Sequence, residues 1–170
     1  MRKAMQSTYG LFCRAASTLQ SPFLLLVRVY WGYQFFQAGW GKLQHLGTVV
    51  QFFTRLGIPA PSIQAPFVVA LEIAGGILLA LGLGSRLISL LLAGDMVVAF
   101  ITADHDAFFG FFSDPDTFVK ATPCTFLMAV LIILIFGPGK LSLDAWIARR
   151  FAKPAAAPAP AQTGSTKLVN

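Results

Sequence analysis

Arg28, Glu72 and Asp95 each sit inside a long apolar stretch, where lipid tails cannot solvate a charge. A charged side chain at membrane depth is costly, so it turns toward the interior of a helical bundle and pairs there. Counted from the ends of their stretches at ~1.5 Å per residue, the three lie about 9, 16 and 13 Å deep from the same side. An arginine side chain covers the difference, so the three are expected to converge. One cation facing two carboxylates in a low-dielectric site leaves one acid holding its proton. A shared proton suits a relay or a quinone contact, in which Arg28 stabilises an anionic oxygen while Glu72 and Asp95 pass protons. The alternative is a clasp without chemistry, Arg28 bridging both acids to lock the bundle. Gln34 and Gln37 point away from this face and suit interhelical packing.

A second group, Asp104, His105 and Asp106 with His45 on another loop, offers ligands a divalent metal accepts. Three adjacent residues cannot easily all face one ion, so no metal site is expected and a solvated loop is preferred.

The apolar stretches run about 22–41, 65–83, 87–103 and 121–136. Each covers most of a ~30 Å hydrocarbon layer as a helix. Apolar residues make up 56% of the chain and charged residues only 12%, and mean hydropathy is +0.69. A soluble domain carries about twice that charge fraction. The fold class expected is therefore an all-α membrane protein, a four-transmembrane-helix up-down bundle with short amphipathic surface helices.

Helical periodicity turns the polar residues inward. Arg28, Gly32, Phe35, Gly39 and Lys42 form one stripe, Glu72, Gly76, Leu79 and Leu83 a second, and Asp95, Ala99 and Thr102 a third. Small residues beside the charges are what close helix packing in a membrane requires.

The net charge of +6 is unevenly spread. Arg2, Lys3 and Arg14 precede the first stretch, Arg86 lies between the second and third, and Lys140, Arg149, Arg150, Lys153 and Lys167 follow the fourth. The loop after the third stretch instead holds Asp104, Asp106, Asp114 and Asp116 against Lys120. The positive-inside rule then puts both termini in the cytoplasm of a multi-pass inner-membrane protein. The basic excess reads as topology and lipid attraction, with no nucleic-acid partner.

Residues 1–21 read as a cytoplasmic, weakly amphipathic lead-in with no cleavage signal. Pro22 suits the first turn of the first span. Residues 48–56 read as a short surface helix, stopped by Gly57-Ile58-Pro59-Ala60-Pro61. The aromatic loop 104–120 settles at headgroup level. Ser142 caps a basic surface helix over 143–151, and the Ala/Pro-rich tail 152–170 reads as disordered. Cys13 and Cys124 fall on opposite sides, without a CxxC pair, so dithiol chemistry within the chain is not expected and Cys124 reads as a packing residue.

These residues resemble the DoxX family of small bacterial inner-membrane proteins. The likeness rests on Arg28 followed by Gly32, Phe35, Gly39 and Lys42, then Gly57-Ile58-Pro59. It continues through Glu72-Ile73-Ala74-Gly75-Gly76 to Gly82 and Arg86, and through His105 to Phe118 with Asp114-Pro115. It closes on Gly137-Pro138-Gly139-Lys140-Leu141-Ser142-Leu143-Asp144, covering about residues 22–150. The resemblance implies a four-helix membrane domain over 22–151 and a link to thiosulfate:quinone oxidoreductase or to complexes handling oxidative and thiol stress.

The function expected is an integral inner-membrane subunit of a redox-linked complex, with Arg28, Glu72 and Asp95 as its candidate catalytic residues. No cofactor is intrinsic to it, a quinone is the one it would meet, and a soluble or membrane redox protein is its partner in the bilayer. The alternatives are a small-solute or proton-coupled transporter and a non-catalytic assembly protein. No nucleotide loop, haem motif or metal cage argues for autonomous catalysis.

Overall fold

The computed structural model describes residues 2–151, with side chains from Ser17 onward. The tail 152–170 and the side chains of most of the lead-in, Cys13 included, lie outside the described residues. Every described element is helical: α1 (Arg2–Gln44), α2 (Leu46–Arg55), α3 (Pro61–Leu81), α4 (Ser85–Thr102), α5 (His105–Phe109), α6 (Pro115–Lys120), α7 (Thr122–Phe136) and α8 (Leu143–Phe151).

Three apolar stretches become α3, α4 and α7 with ends shifted by a few residues. The first differs more. Pro22 does not open a helix but lies inside α1, which continues unbroken from the lead-in. Proline removes one backbone donor from a helix interior without forbidding the helix beyond it. The boundary expected at residue 21 is therefore not a break in the backbone.

Among the described residues, α3 and α4 are long and apolar enough to cross a membrane, and α7 is apolar but 15 residues long. Arg28, Gln34, Gln37 and the tyrosines dilute the hydropathy of α1 over the stretch expected to span.

Turn chemistry fixes the order of packing. Gly82 ends α3 at φ +73, its N–H and that of Leu83 closing onto Leu78 O at 2.9 and 3.0 Å. This is the left-handed cap that glycine adopts without strain. Gly84 then opens α4, so α3 and α4 are antiparallel neighbours. α1 packs along α3, α4 along α7, and α1 touches α7, which closes a ring of contacts; α2 lies against α3. Phe35, Leu79, Leu92, Val130 and Ile133 are fully buried where the four meet.

The end holding Arg86 and α8 is the basic end, and the end holding α5 and α6 is the acidic end. At the acidic end the expected loop contains two short helices. Phe100 stacks on Phe118 (centroids 5.0 Å) and meets Phe108 edge-on (5.5 Å), over buried Cys124. Asp114 caps α6, accepting from Thr117 Oγ1 at 2.6 Å and Thr117 N at 3.2 Å.

Candidate functional site

The α1–α3 crossing sets the geometry of everything polar in the core. A methyl placed on Gly32 would lie 2.6 Å from Gly76 O, and one on Gly76 would lie 2.5 Å from Gly32 O. One on Gly39 would lie 3.0 Å from Glu72 Cβ. Only hydrogen fits at these points, so backbone meets backbone and the register of the two helices is fixed.

In that register Glu72 faces Lys42, the last member of the α1 stripe. Lys42 Nζ and Glu72 Oε1 are 2.6 Å apart, with the Glu72 side chain 2% exposed and that of Lys42 37%. Asp95 on α4 is partly buried and interacts with the charges of both. The expected excess of acid over base is therefore present, but its cation is Lys42. Glu72 Oε2 and Asp95 Oδ2 accept no hydrogen bond from the described residues.

Above this cluster, between α2 and α4 at the acidic end, lies a cavity of about 420 Å³. Lys42 and Asp95 reach its wall, exposed Arg55 lines it from α2, and Phe52, Phe53, Leu56 and Met96 are among its apolar lining. An apolar recess with a few convergent polar groups is the usual form of a small-molecule site. On the side facing the basic end, fully buried Phe35, Leu79 and Leu92 fill the interior.

Arg28 is not part of this cluster. It is 1% exposed and donates from Nη2 to Leu141 O at 2.6 Å, beside Gly82, where a Cβ would overlap its guanidinium. The convergence expected of Arg28 with Glu72 and Asp95 is thus corrected. In an α-helix each Cα–Cβ bond tilts toward the N-terminus. Both α1 cations therefore lean toward the basic end: Lys42 back toward Glu72, and Arg28 away from it.

At the basic end Arg28 helps hold a junction between three segments. Asp144 accepts from Gly84 N (2.8 Å), Ser85 N (3.0 Å) and Ser85 Oγ (3.1 Å), so it caps α4 from another helix. Its own N–H donates to Gly82 O at 3.0 Å. Burial raises the Asp144 pKa, but the bonds from Ser85 and Gly84 and the charge of Arg28 outweigh it and hold it below the usual carboxylate range. Ser142 Oγ accepts from Ala145 N at 3.1 Å, capping α8 as its sequence predicts. Neither the junction nor the role of Lys42 emerged from sequence reasoning. The signal for both was present, since Lys42 completes the Arg28 stripe and Asp144 follows a capping serine.

The other candidates do not assemble. His105 Nδ1 and Asp106 Oδ1 are 3.7 Å apart and exposed, and His45 sits at the start of α2. Among the described residues no three His, Cys, Asp or Glu side chains come close enough to share an ion. Gln34 and Gln37 do not bridge helices as expected: each donates to a tyrosine one turn earlier, Tyr30 at 3.4 Å and Tyr33 at 2.6 Å. Cys124 is buried, in keeping with a packing role.

The family model described as DoxX matches residues 23–105, which include Arg28, Lys42, Glu72 and Asp95. The chain is 38% identical over 78 residues to "Putative oxidoreductase CatD" of Bacillus subtilis (strain 168), covering 46% of this chain and 57% of that one. It thus spans little more than half the length of that relative. It is 27% identical over 127 residues to "Inner membrane protein YqjF" of Escherichia coli (strain K12), covering 74% of this chain and 92% of that one. No solved structure matches the chain.

Proposed function

We propose that the chain, whose residues 23–105 match the DoxX model, is an integral inner-membrane protein of that family whose α1, α3, α4 and α7 cross the bilayer as an up-down four-helix bundle with both termini cytoplasmic. The outer faces support this reading on all four helices: Leu26, Phe67, Leu87 and Ile135 are each more than 60% exposed. Such a continuous apolar surface suits lipid. Only a third of the apolar window of α3 or α4 is buried, unlike the core helix of a soluble protein.

Within that membrane protein, the cavity above Lys42, Glu72 and Asp95 is the site of a redox-linked subunit, and its occupant is a quinone. The carrying observation is one half-buried cation, Lys42, set against buried Glu72 and partly buried Asp95 at the wall of an apolar recess. The residues fit the group: the aromatic and aliphatic wall suits a planar apolar ring, and Lys42 can donate to a ring oxygen. Asp95 Oδ2 and Glu72 Oε2 retain acceptor capacity. When bound, a quinone takes up two electrons and two protons, the electrons coming from a partner redox protein. Lys42 is placed to stabilise negative charge on an oxygen, and Asp95, nearer the cavity, to exchange a proton with Glu72 behind it. Packing by Phe35, Leu79 and Leu92 below the cluster favours this reading over proton-coupled transport, which needs a polar path to the other face.

The test is binding of a short-chain quinone by the protein in liposomes, and its reduction in membranes that also contain the redox partner. Asp95→Asn and Ala99→Phe, the second filling the cavity wall, should each weaken quinone binding at least tenfold. Glu72→Gln should slow reduction in membranes that contain the redox partner. Unchanged binding in both cavity variants, with helicity intact, would reject the quinone site and leave an assembly protein.

A further inference from the structure

At the basic end, a second recess of about 350 Å³ lies between the start of the α1 span and the segment joining α7 to α8. Ser17, Gln20, Ser21, Lys140 and Arg149 supply its polar wall, and among the described residues no acidic side chain lines it. Two side chain–backbone hydrogen bonds link its walls. Lys140 N donates to Ser21 Oγ at 3.4 Å, and Arg149 Nη2 donates to Lys140 O at 3.4 Å. Asp144, the nearest acid on α8, is turned away and occupied by Gly84 and Ser85. Among the described residues, the two cations therefore line the recess without a carboxylate beside them.

Gln20, Leu24 and Phe136 also line a third recess of about 260 Å³, completed by Phe23 and Ile132. Ile132 stands one helical turn, roughly 6 Å, further from the basic end than Phe136. The basic recess thus adjoins an apolar groove that extends about one helical turn between α1 and α7, away from the basic end. Phe23 and Phe136 are more than half exposed there.

We propose that these joined recesses bind one anionic phospholipid, its phosphate between Lys140 and Arg149 and one acyl chain in the groove past Phe23 and Ile132. The argument is charge and shape together. A basic pocket between helices on the cytoplasmic side recruits acidic headgroups, and the attached groove matches what an amphiphile carries below its phosphate. A free anion would use the polar recess alone. The inference rests on the membrane-spanning reading but not on the quinone.

The experiment uses the full chain in nanodiscs and in detergent. Native mass spectrometry would compare retained phosphatidylglycerol with phosphatidylcholine, and inorganic phosphate would be added as a competitor. Wild-type protein should retain phosphatidylglycerol at least fivefold better, and millimolar phosphate should not displace it. Lys140→Gln with Arg149→Gln should abolish that preference. Ile132→Trp, which fills the groove while keeping both cations, should reduce retention of either lipid. Arg55→Gln, a cation at the opposite end, should change nothing. Equal retention of the two lipids by wild type, an unaltered preference in the double variant, or displacement by phosphate would each overturn the proposal. Failure of the quinone assay would leave it standing.

Discussion

Removing Lys42 should harm the fold more than removing the acid it pairs with. Glu72 is 2% exposed and its Oε1 lies 2.6 Å from Lys42 Nζ. Lys42→Met leaves a carboxylate in the core with no cation in contact. Breaking a buried pair in this way costs about 3–5 kcal/mol. Glu72→Gln leaves a lysine that is already 37% exposed and can swing its ammonium toward the surface. Only a charge-assisted hydrogen bond is lost, offset by rehydration, for about 1–2 kcal/mol. The double variant Lys42→Met/Glu72→Gln removes the stranded charge and should cost no more than about 2 kcal/mol, since a whole buried pair can often be replaced cheaply. The implied coupling is then about 3 kcal/mol, at the upper end for residues in contact. Reversible unfolding in mixed micelles, followed by circular dichroism, reads all four corners of the cycle. Equal costs for the two single variants, or a coupling below about 0.5 kcal/mol, would refute the pairing and the register that creates it.

The α1–α3 crossing gives a steric prediction. Gly76→Leu must push α3 off Gly32 O and should destabilise by at least about 1–3 kcal/mol, whereas Gly41→Leu, with open space around it, should be nearly silent in the same unfolding assay. Asp144 gives a pH prediction. Its folded pKa is depressed, so its contribution is present above the unfolded carboxylate value and is lost as pH falls through the lower folded value. Wild type should therefore exceed Asp144→Asn in Tm near neutral pH, and the two curves should converge in acid; parallel curves down to low pH would contradict the α4 cap. Ser142→Ala should lower stability by about 1 kcal/mol through loss of the α8 cap, measurable as fraying of residues 143–151 by hydrogen exchange. Cys124 is 5% exposed, so a membrane-permeant maleimide should label it only after denaturation; rapid labelling of the folded protein would show that the α4–α7 packing is looser than described.

The helices themselves were legible because backbone hydrogen bonding and hydropathy are local. The apolar runs gave α3, α4 and α7 to within a few residues, Gly57 through Pro61 gave the stop after α2, and Ser142 gave the start of α8. The small-residue stripe containing Gly32 and Gly39 likewise pointed to a close helix partner. Where reading failed, the missing information was directional or non-local. Pro22 looked like a helix start because a proline's tolerated position and its observed one share the same sequence signature.

Chain composition alone determined that charges inside apolar helices must face inward, and periodicity put Arg28 and Lys42 on one stripe with Glu72 opposite. The assembled structure alone decided which cation Glu72 meets. Arg28 and Lys42 are fourteen residues apart, roughly 21 Å along one helix, and nothing within α1 distinguishes them as partners. Contact of Gly32 with Gly76 fixes the sliding register, and the N-terminal tilt of helical side chains then sends Lys42 to the acid and Arg28 to Leu141. Axial register arises from two surfaces meeting, so it is a property of the pair of helices and is written in neither one.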